Sequence, residues 1–418
     1  MSISLNQANR AVIEKITAAR PYLVDVRPAG SVIPALNERK LLLHAGPPIG
    51  FADMTGPMRG ACIGALLFEG WAQDEEQAVQ MLEAGQIDFA PCHSVSAVGP
   101  MGGITSANMP VLVVCNRTDG NFAYCNLNEG IGKVMRFGAY GDEVQKRLHW
   151  MRNVLGPMLS AALRHLPEGI DLTAVMAQAI TMGDEFHQRN IAASALLARI
   201  LAPALVAVAK DSSACAEVLD FLGRTDQFYL NVAMAYSKAV MDAAHSVGEG
   251  SVVTALSRNG KDFGVRVSGL GERWFTAPVN TPQGLFFTGY SQADANPDIG
   301  DSAITEALGI GAMAMIAAPG VTRFLGAGGF DDALEISNEM AEICLARNPA
   351  LIVPNWNFQG ACMAIDVRRV VELGITPLIN TGIAHRDPGI GQVGAGTVRA
   401  PMACFEQALL ELAAKYGE

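Results

Sequence analysis

Over residues 1–140 the apolar positions switch repeatedly between helical and strand spacing. Residues 5–19 carry a helical stripe that Pro21 stops, while YLVDVRP and KLLLHAG read as strands closed by Pro and Gly. GPMRGACIGALLFEGWA opens a helix from a Gly-Pro loop, and DEEQAVQMLEAGQ is an acid-started helix ended by Gly85. IDFAPC, MPVLVVCN and NFAYCN supply further strands. Such alternation predicts an α/β domain.

From Gly141 the pattern lengthens into helices at 141–166, 171–187, 190–209, 213–222 and 226–247, separated by Pro167-Glu168-Gly169, Asn190 and Asp211. From Ser251 strands return as SVVTALSR, DFGVRVSG, RWFTAPV and GLFF, close enough together for an antiparallel sheet. Helices at 301–316, 331–346, 366–373 and 402–416 then alternate with strands near 350–353 and 376–384. The expected fold class is α/β, in the mixed α+β sense. Two α/β domains at 1–140 and 251–418 flank a helical domain at 141–250, and no tandem repeat is visible.

Half of the residues are hydrophobic and 17% are charged, which suits a chain that buries a large core. A net charge of −11 with no basic run argues against nucleic-acid binding, so an anionic ligand would have to be held by a few arginines and backbone N–H groups. MSISLNQANRAVIEK has no secretory pattern. The apolar stretch 191–209 is interrupted by Arg199 and Pro203 and that at 307–318 is short, so no membrane span is expected. Eight cysteines without a C-x-x-C pair predict free thiols, no zinc and a cytoplasmic location.

Gly389-Ile390-Gly391-Gln392-Val393-Gly394 has the letters of a dinucleotide fingerprint, but only one helix follows it and no second strand remains. No nucleotide or other cofactor is therefore expected. Gly389, Gly391 and Gly394, beside His385 and Arg386, are instead expected to form an anion-binding loop, with a structural glycine loop as the alternative. In NEGIGKVMRFGAY the P-loop pattern fails at Leu127 and Val134; Asn128, Lys133 and Arg136 either face an anion or form a solvated loop. Arg59, between Gly56-Pro57 and Gly60 at a helix start, grips either a ligand or a structural carboxylate.

APCHSVSAVGPMGG carries His93 and Ser94 into a loop, His93 as a candidate acid, base or donor. Together with Arg59, His385 and Arg386, it makes up the candidate catalytic set. Arg59, His93 and the 128–136 loop are expected to share one cleft. Asp294, Asp298 and Asp301, followed by Ser302, suit helix capping or, as the alternative, a divalent cation; Asp301 and Ser302 are also candidate anion-site residues. GDEFHQRN packs Asp184, Glu185, His187, Arg189 and Asn190 at the end of an apolar segment, a secondary site candidate or a solvated helix end. Asn259-Gly260 suits a type I′ hairpin turn, with Asn259 a further candidate anion contact.

The strings GPPIGFADMTGPMRGACIGALLFEGWA, APCHSVSAVGPMGG, NEGIGKVMRFGAY, GDEFHQRN, DFGVRVSGLGERWFTAP, DANPDIGDSAITE and NTGIAHRDPGIGQVGAG, in that order, resemble the bacterial YlbE/AllG-like family. The resemblance implies a subunit of an oxamate carbamoyltransferase of allantoin and purine catabolism, converting oxalurate and phosphate to oxamate and carbamoyl phosphate. It also implies an FdrA-like partner, a further small-family subunit and a carbamate kinase downstream. The Ser-Thr-Arg-Thr phosphate motif of familiar carbamoyltransferases is absent, Gly223-Arg224-Thr225 being the nearest string, so the chemistry would use a different fold. The alternative is a non-catalytic scaffold or regulatory subunit, with the chemistry on the FdrA-like chain. A homo-oligomer is compatible with either.

Overall fold

In the computed structural model, which describes residues 4–324 and 328–417, the helix Phe228–His245 is buried along nearly its whole surface. A helix apolar on every side has to lie inside. It packs on the strands Pro110–Asn116 and Asn121–Asn126, the helices Leu5–Ala18 and Ile304–Leu308, and the strand Val253–Asn259. Its polar positions are matched locally: Asn231 Nδ2 donates to the Asn126 carbonyl at 2.6 Å, and Lys238 Nζ meets Asp242 at 2.5 Å.

The fold is mixed α/β. A five-stranded sheet runs Ala97–Val98, Asn121–Asn126, Pro110–Asn116, Pro21–Pro28, Ile170–Asp171, antiparallel except for its first pair. A four-stranded sheet is built on the hairpin Val253–Asn259 and Asp262–Val267, and a three-stranded sheet orders Gln283–Phe286, Gln392–Arg399, Leu378–Ala384. One apolar core draws members from all three sequence segments, including Val114, Met234 and Ile365. The division at 140/141 and 250/251 stays a proposal about the chain's texture.

Most helices fall where periodicity puts them, among them Leu5–Ala18, Ile191–Val208, Ser212–Arg224 and Met402–Tyr416. Ile191–Val208 is the one helix, among the described residues, long and apolar enough to cross a membrane; it packs against Gly156–His165, Leu172–Thr181 and Ser212–Arg224. The 171–187 expectation is corrected at its end: the helix stops at Thr181, and positive φ at Gly183 and Phe186 turns Asp184–His187 into a loop. The expected helix 301–316 breaks into Ile304–Leu308 and a 3-10 stretch, Gly311–Ala317, because Gly309 and Gly311 have positive φ. The strand Cys344–Val353 replaces the end of the helix expected at 331–346. Only Gly260 is left-handed in the 253–267 hairpin, so its turn has Gly at the first central position, the II′ arrangement rather than I′.

Residues 389–396 also differ from expectation. The chain re-enters a strand at Gln392, pairing with Leu378–Ala384 and with Gln283–Phe286. The fingerprint's required helix is therefore replaced by a strand. The Gly389 N–H donates to the Gly138 carbonyl at 2.8 Å and the Gln392 N–H to the Gly132 carbonyl at 3.2 Å, so donors expected to serve an anion join two backbones. A Cβ on Gly56 would strike the Arg386 carbonyl, and one on Gly60 the Gly138 carbonyl. The three glycine-rich segments thus meet as a close-packed backbone junction. Gly60→Ala, favourable by helix propensity alone, is expected to cost about 1–3 kcal/mol through overpacking, seen as a lower urea midpoint at unchanged slope.

Candidate functional site

Beside this junction lies a cavity of about 650 Å³ lined from all three segments, by Arg136 and Phe137, by His187 to Arg189 and Gln227, and by Ser302, Asn355 and Gln392. The loop Asp184–Asn190 supplies its most reactive group. His187 Nδ1 donates to both Glu306 oxygens, at 2.8 and 2.9 Å. Its Nε2 has no hydrogen-bond partner among the described residues, and the ring lines the cavity. A carboxylate on Nδ1 fixes the tautomer and the ring's orientation, leaving Nε2 to exchange a proton with a ligand.

Glu306 is fully buried. It also accepts from Thr305 Oγ1 at 2.9 Å, Ala312 N at 3.0 Å and Asn380 N at 3.2 Å. The wrap is possible because Gly311 lacks a Cβ, which would collide with this carboxylate. Glu185 holds the histidine loop from below, accepting the N–H groups of His187 at 3.1 Å, of Arg189 at 2.6 Å and of Gln188. Asp184 Oδ2 accepts Ala193 N at 2.7 Å at the start of the next helix, and its Oδ1 lies 3.5 Å from Arg189 Nε. Arg189 is thereby oriented while its side chain stays 40% exposed.

Burial pushes the Glu185 carboxyl up from about 4.5 to about 7, its bonds to the histidine loop opposing the shift only in part. The folded state therefore binds the extra proton between those values, and stability falls as pH rises through that window. Glu185→Gln is expected to flatten unfolding free energy against pH there, by at most one proton or about 1.4 kcal/mol per pH unit. Urea titrations at stepped pH measure it; an unchanged slope would exclude this carboxyl as the source.

Arg136 comes into the cavity wall from a loop organised by Glu129, which accepts Met135 N at 2.9 Å and Arg136 N at 3.1 Å. Its Nη2 donates to the Gly130 carbonyl at 2.6 Å, while Nε is buried with no hydrogen-bond partner among the described residues. Burial lowers its pKa to about 10, which still leaves it a cation at neutral pH. Arg136 and Arg189 give the cavity two guanidinium groups and Asp226 one carboxylate, with Ser302, Gln392 and Asn355 as neutral polar neighbours.

Of the residues singled out from sequence, Arg136 and Ser302, with His187 and Arg189 of the secondary cluster, line this cavity, and the others lie outside its lining. His93 is buried and held neutral by burial, then by Lys238 and Arg266; among the described residues neither ring nitrogen has a hydrogen bond, with Nε2 3.5 Å from Asp301 and the ring edge-on to Trp274. Asp301 ties the segments together, accepting Gly46 N and Gly99 N at 2.9 Å each and the Ser257 hydroxyl, and burial pushes it up to about 6. Arg59 grips the carbonyls of Met54 and Ala52, both at 3.0 Å, and lies over Phe51, so its partner is backbone rather than a carboxylate. The single cleft expected for Arg59, His93 and the 128–136 loop is replaced by a cavity that takes only the last of these.

Ser94 donates to the Pro91 carbonyl at 2.6 Å, Asn128 bridges Gly130, Gln227 and Asn231, Asn259 holds its hairpin and Pro47, and Lys133 is exposed. His385 Nδ1 accepts Asp387 N at 2.9 Å, and the Arg386 side chain is exposed. Asp298 pairs with Arg258 and Asp294 with Ser291, so the three acids have separate partners. Among the described residues no group of three or more His, Cys, Asp or Glu side chains is arranged to hold a metal ion. All eight cysteines are free thiols. Sequence reasoning missed Glu306, Gln227, Asn355 and Gln392; for His187 and Arg189 the signal was the polar cluster closing an apolar segment.

The α/β framework thus brings a histidine–glutamate pair and two arginines to one cavity. The family model described as oxamate carbamoyltransferase subunit AllG matches residues 87–302, and the chain belongs to that family. An Escherichia coli (strain K12) protein named oxamate carbamoyltransferase subunit AllG is 69% identical over 417 residues, all of both chains. A second protein of that strain, named uncharacterized protein YahG, is 45% identical over 410 residues, 98% of this chain and 86% of the relative. The crystal structure of a conserved protein of unknown function from Enterococcus faecalis V583 superposes with a TM-score of 0.95 at 45% identity, covering 98% of each chain.

Proposed function

We propose that this chain is the subunit of a cytoplasmic oxamate carbamoyltransferase complex that carries an acid–base site for the conversion of oxalurate and phosphate to oxamate and carbamoyl phosphate. The observation that carries this reading is His187, fixed by Glu306 and facing a cavity with Arg136 and Arg189. A phosphate oxygen attacks the ureido carbonyl carbon of oxalurate, and the guanidinium groups hold the carboxylate and phosphate charges. The carbonyl oxygen takes up negative charge in the transition state, where an arginine or the Ser302 hydroxyl can stabilise it. The C–N bond to the oxamate nitrogen then breaks, and that nitrogen takes the proton from His187 Nε2. The proton of the attacking hydrogen phosphate restores the imidazolium, so charge and atoms balance.

We place the acid–base role at His187 in preference to His93 and His385, because neither of those lines the cavity. An FdrA-like chain and a further small-family subunit would complete the complex, and a carbamate kinase would consume its carbamoyl phosphate. Ile131 and Phe287, 58% and 45% exposed, are among the residues lining the cavity, which favours a neighbouring subunit covering them. The same observation suits the scaffold reading, in which the chemistry sits on the partner. Carbamoyl phosphate formation from oxalurate, measured for the chain alone, for the complex and for the complex with a His187 variant, separates the two.

A further inference from the structure

A second cavity, of about 400 Å³, shares no lining residue with the first. Three guanidinium groups reach it from three elements: Arg27 from the strand Pro21–Pro28, Arg152 from the π-helical turn Met151–Leu155, and Arg164 from the helix Gly156–His165. Among the described residues one carboxylate, Asp25, lies within ion-pair range of any of them. Asp25 Oδ2 lies 3.6 Å from Arg27 Nη1 and 3.6 Å from Arg164 Nη1, too long for a hydrogen bond to either. Its other oxygen is taken by Val26 N at 2.8 Å and by the Ser160 hydroxyl. Arg27 and Arg164 make no side-chain hydrogen bond among the described residues. Arg152 Nε donates to the neighbouring Asn153 Oδ1 at 3.1 Å, and its guanidinium lies over the Phe68 ring, 5.3 Å from the ring centroid. Asn108, also in the lining, has its amide nitrogen turned away to Glu69.

Two backbone irregularities build this concavity. The strand Pro21–Pro28 bulges between Leu23 and Asp25, and the helix running on from Asp142 widens into its π turn at Met151. Each re-aims side chains that a regular element would direct elsewhere, and both kinds of irregularity gather at functional sites. Arg27 and Arg164 are 46% and 60% exposed, so water screens their repulsion in part, and a ligand bringing further negative charge would meet three positive charges set against one carboxylate.

We propose that this cavity binds the dianionic phosphoryl group of inorganic phosphate or of a small phosphate monoester, at a site separate from the acid–base cavity. A tetrahedral dianion presents oxygens in several directions and can accept from forks arriving from a strand, a π turn and a helix. A monocarboxylate would occupy one fork and leave the remaining arginines repelling one another.

The test is calorimetric titration of the full chain with inorganic phosphate and, separately, with glycerol 3-phosphate, using acetate as the monocarboxylate control. Wild-type protein and the Arg189→Gln variant are expected to bind at this site. The double variant Arg27→Gln, Arg164→Gln is expected to bind on the order of 10²-fold more weakly, two charge-assisted contacts being lost. Both arginines are largely solvent-accessible, so folding should be unaffected. Should the double variant fail to fold, each single variant carries the test at about tenfold. Undiminished phosphate binding in these variants, or acetate bound as well as phosphate, overturns the proposal. Preference between the two phosphate probes tells free phosphate from an ester. Loss of one class of phosphate binding in Arg189→Gln bears on the acid–base cavity alone, so the two readings fail independently.

Discussion

In the assembled complex, His187→Gln is expected to lower carbamoyl phosphate formation from oxalurate by about 10²–10⁴-fold, the usual contribution of a positioned acid or base. Gln keeps a polar side chain opposite Glu306, so urea unfolding and complex assembly should change little. The loss should fall on kcat more than on KM, because the proton moves in the transition state while the arginines hold the ground-state charges. Wild-type turnover in a correctly assembled His187→Gln complex would remove the acid–base role and favour the scaffold reading.

Asp298→Ala is expected to destabilise the chain by about 3–5 kcal/mol, the range for leaving one charge of a buried pair without its partner. Arg258 and Asp298 are both inaccessible to solvent, joined by Arg258 Nε to Oδ2 at 2.6 Å and Nη2 to Oδ1 at 3.3 Å. Thr381 Oγ1 donates to the same carboxylate at 2.8 Å, and Arg258 Nη1 donates to the Gly300 carbonyl at 2.7 Å. Removing the carboxylate strands a guanidinium in a dry interior. Replacing both partners, as in Arg258→Met with Asp298→Leu, should recover much of the loss, since apolar packing then takes the place of two desolvated charges. Chemical denaturation of the three variants reads the effect. A cost below about 1 kcal/mol for Asp298→Ala would show that water reaches the pair, as it does for surface ion pairs.

Asp294, Asp298 and Asp301 show how much of the site was legible. From sequence they form one acidic run with the same capping or cation-binding potential. In the fold Asp294 closes a capping box with Ser291, Asp298 neutralises Arg258, and Asp301 joins Gly46 and Gly99 to Ser257. Only the first depends on neighbours a few residues away, and only the first could be read locally. The glycines of 389–396 make the same point. Their letters require backbone freedom, but the reason for it is close approach to Gly132 and Leu285, far away along the chain.

What the sequence by itself determined is local. The period of apolar residues set the helices Ile191–Val208, Phe228–His245 and Met402–Tyr416, Asp211 capped Ser212–Arg224, and Asn259-Gly260 made a hairpin. The tertiary structure decided that His187 meets Glu306 from 119 positions away, and that Arg136 turns into a cavity while Arg59 turns onto its own preceding loop. Helical and strand preferences are settled among residues a few positions apart. A buried carboxylate finds its cation or imidazole only after packing has closed the long loops between them and removed the water that would otherwise have solvated each separately.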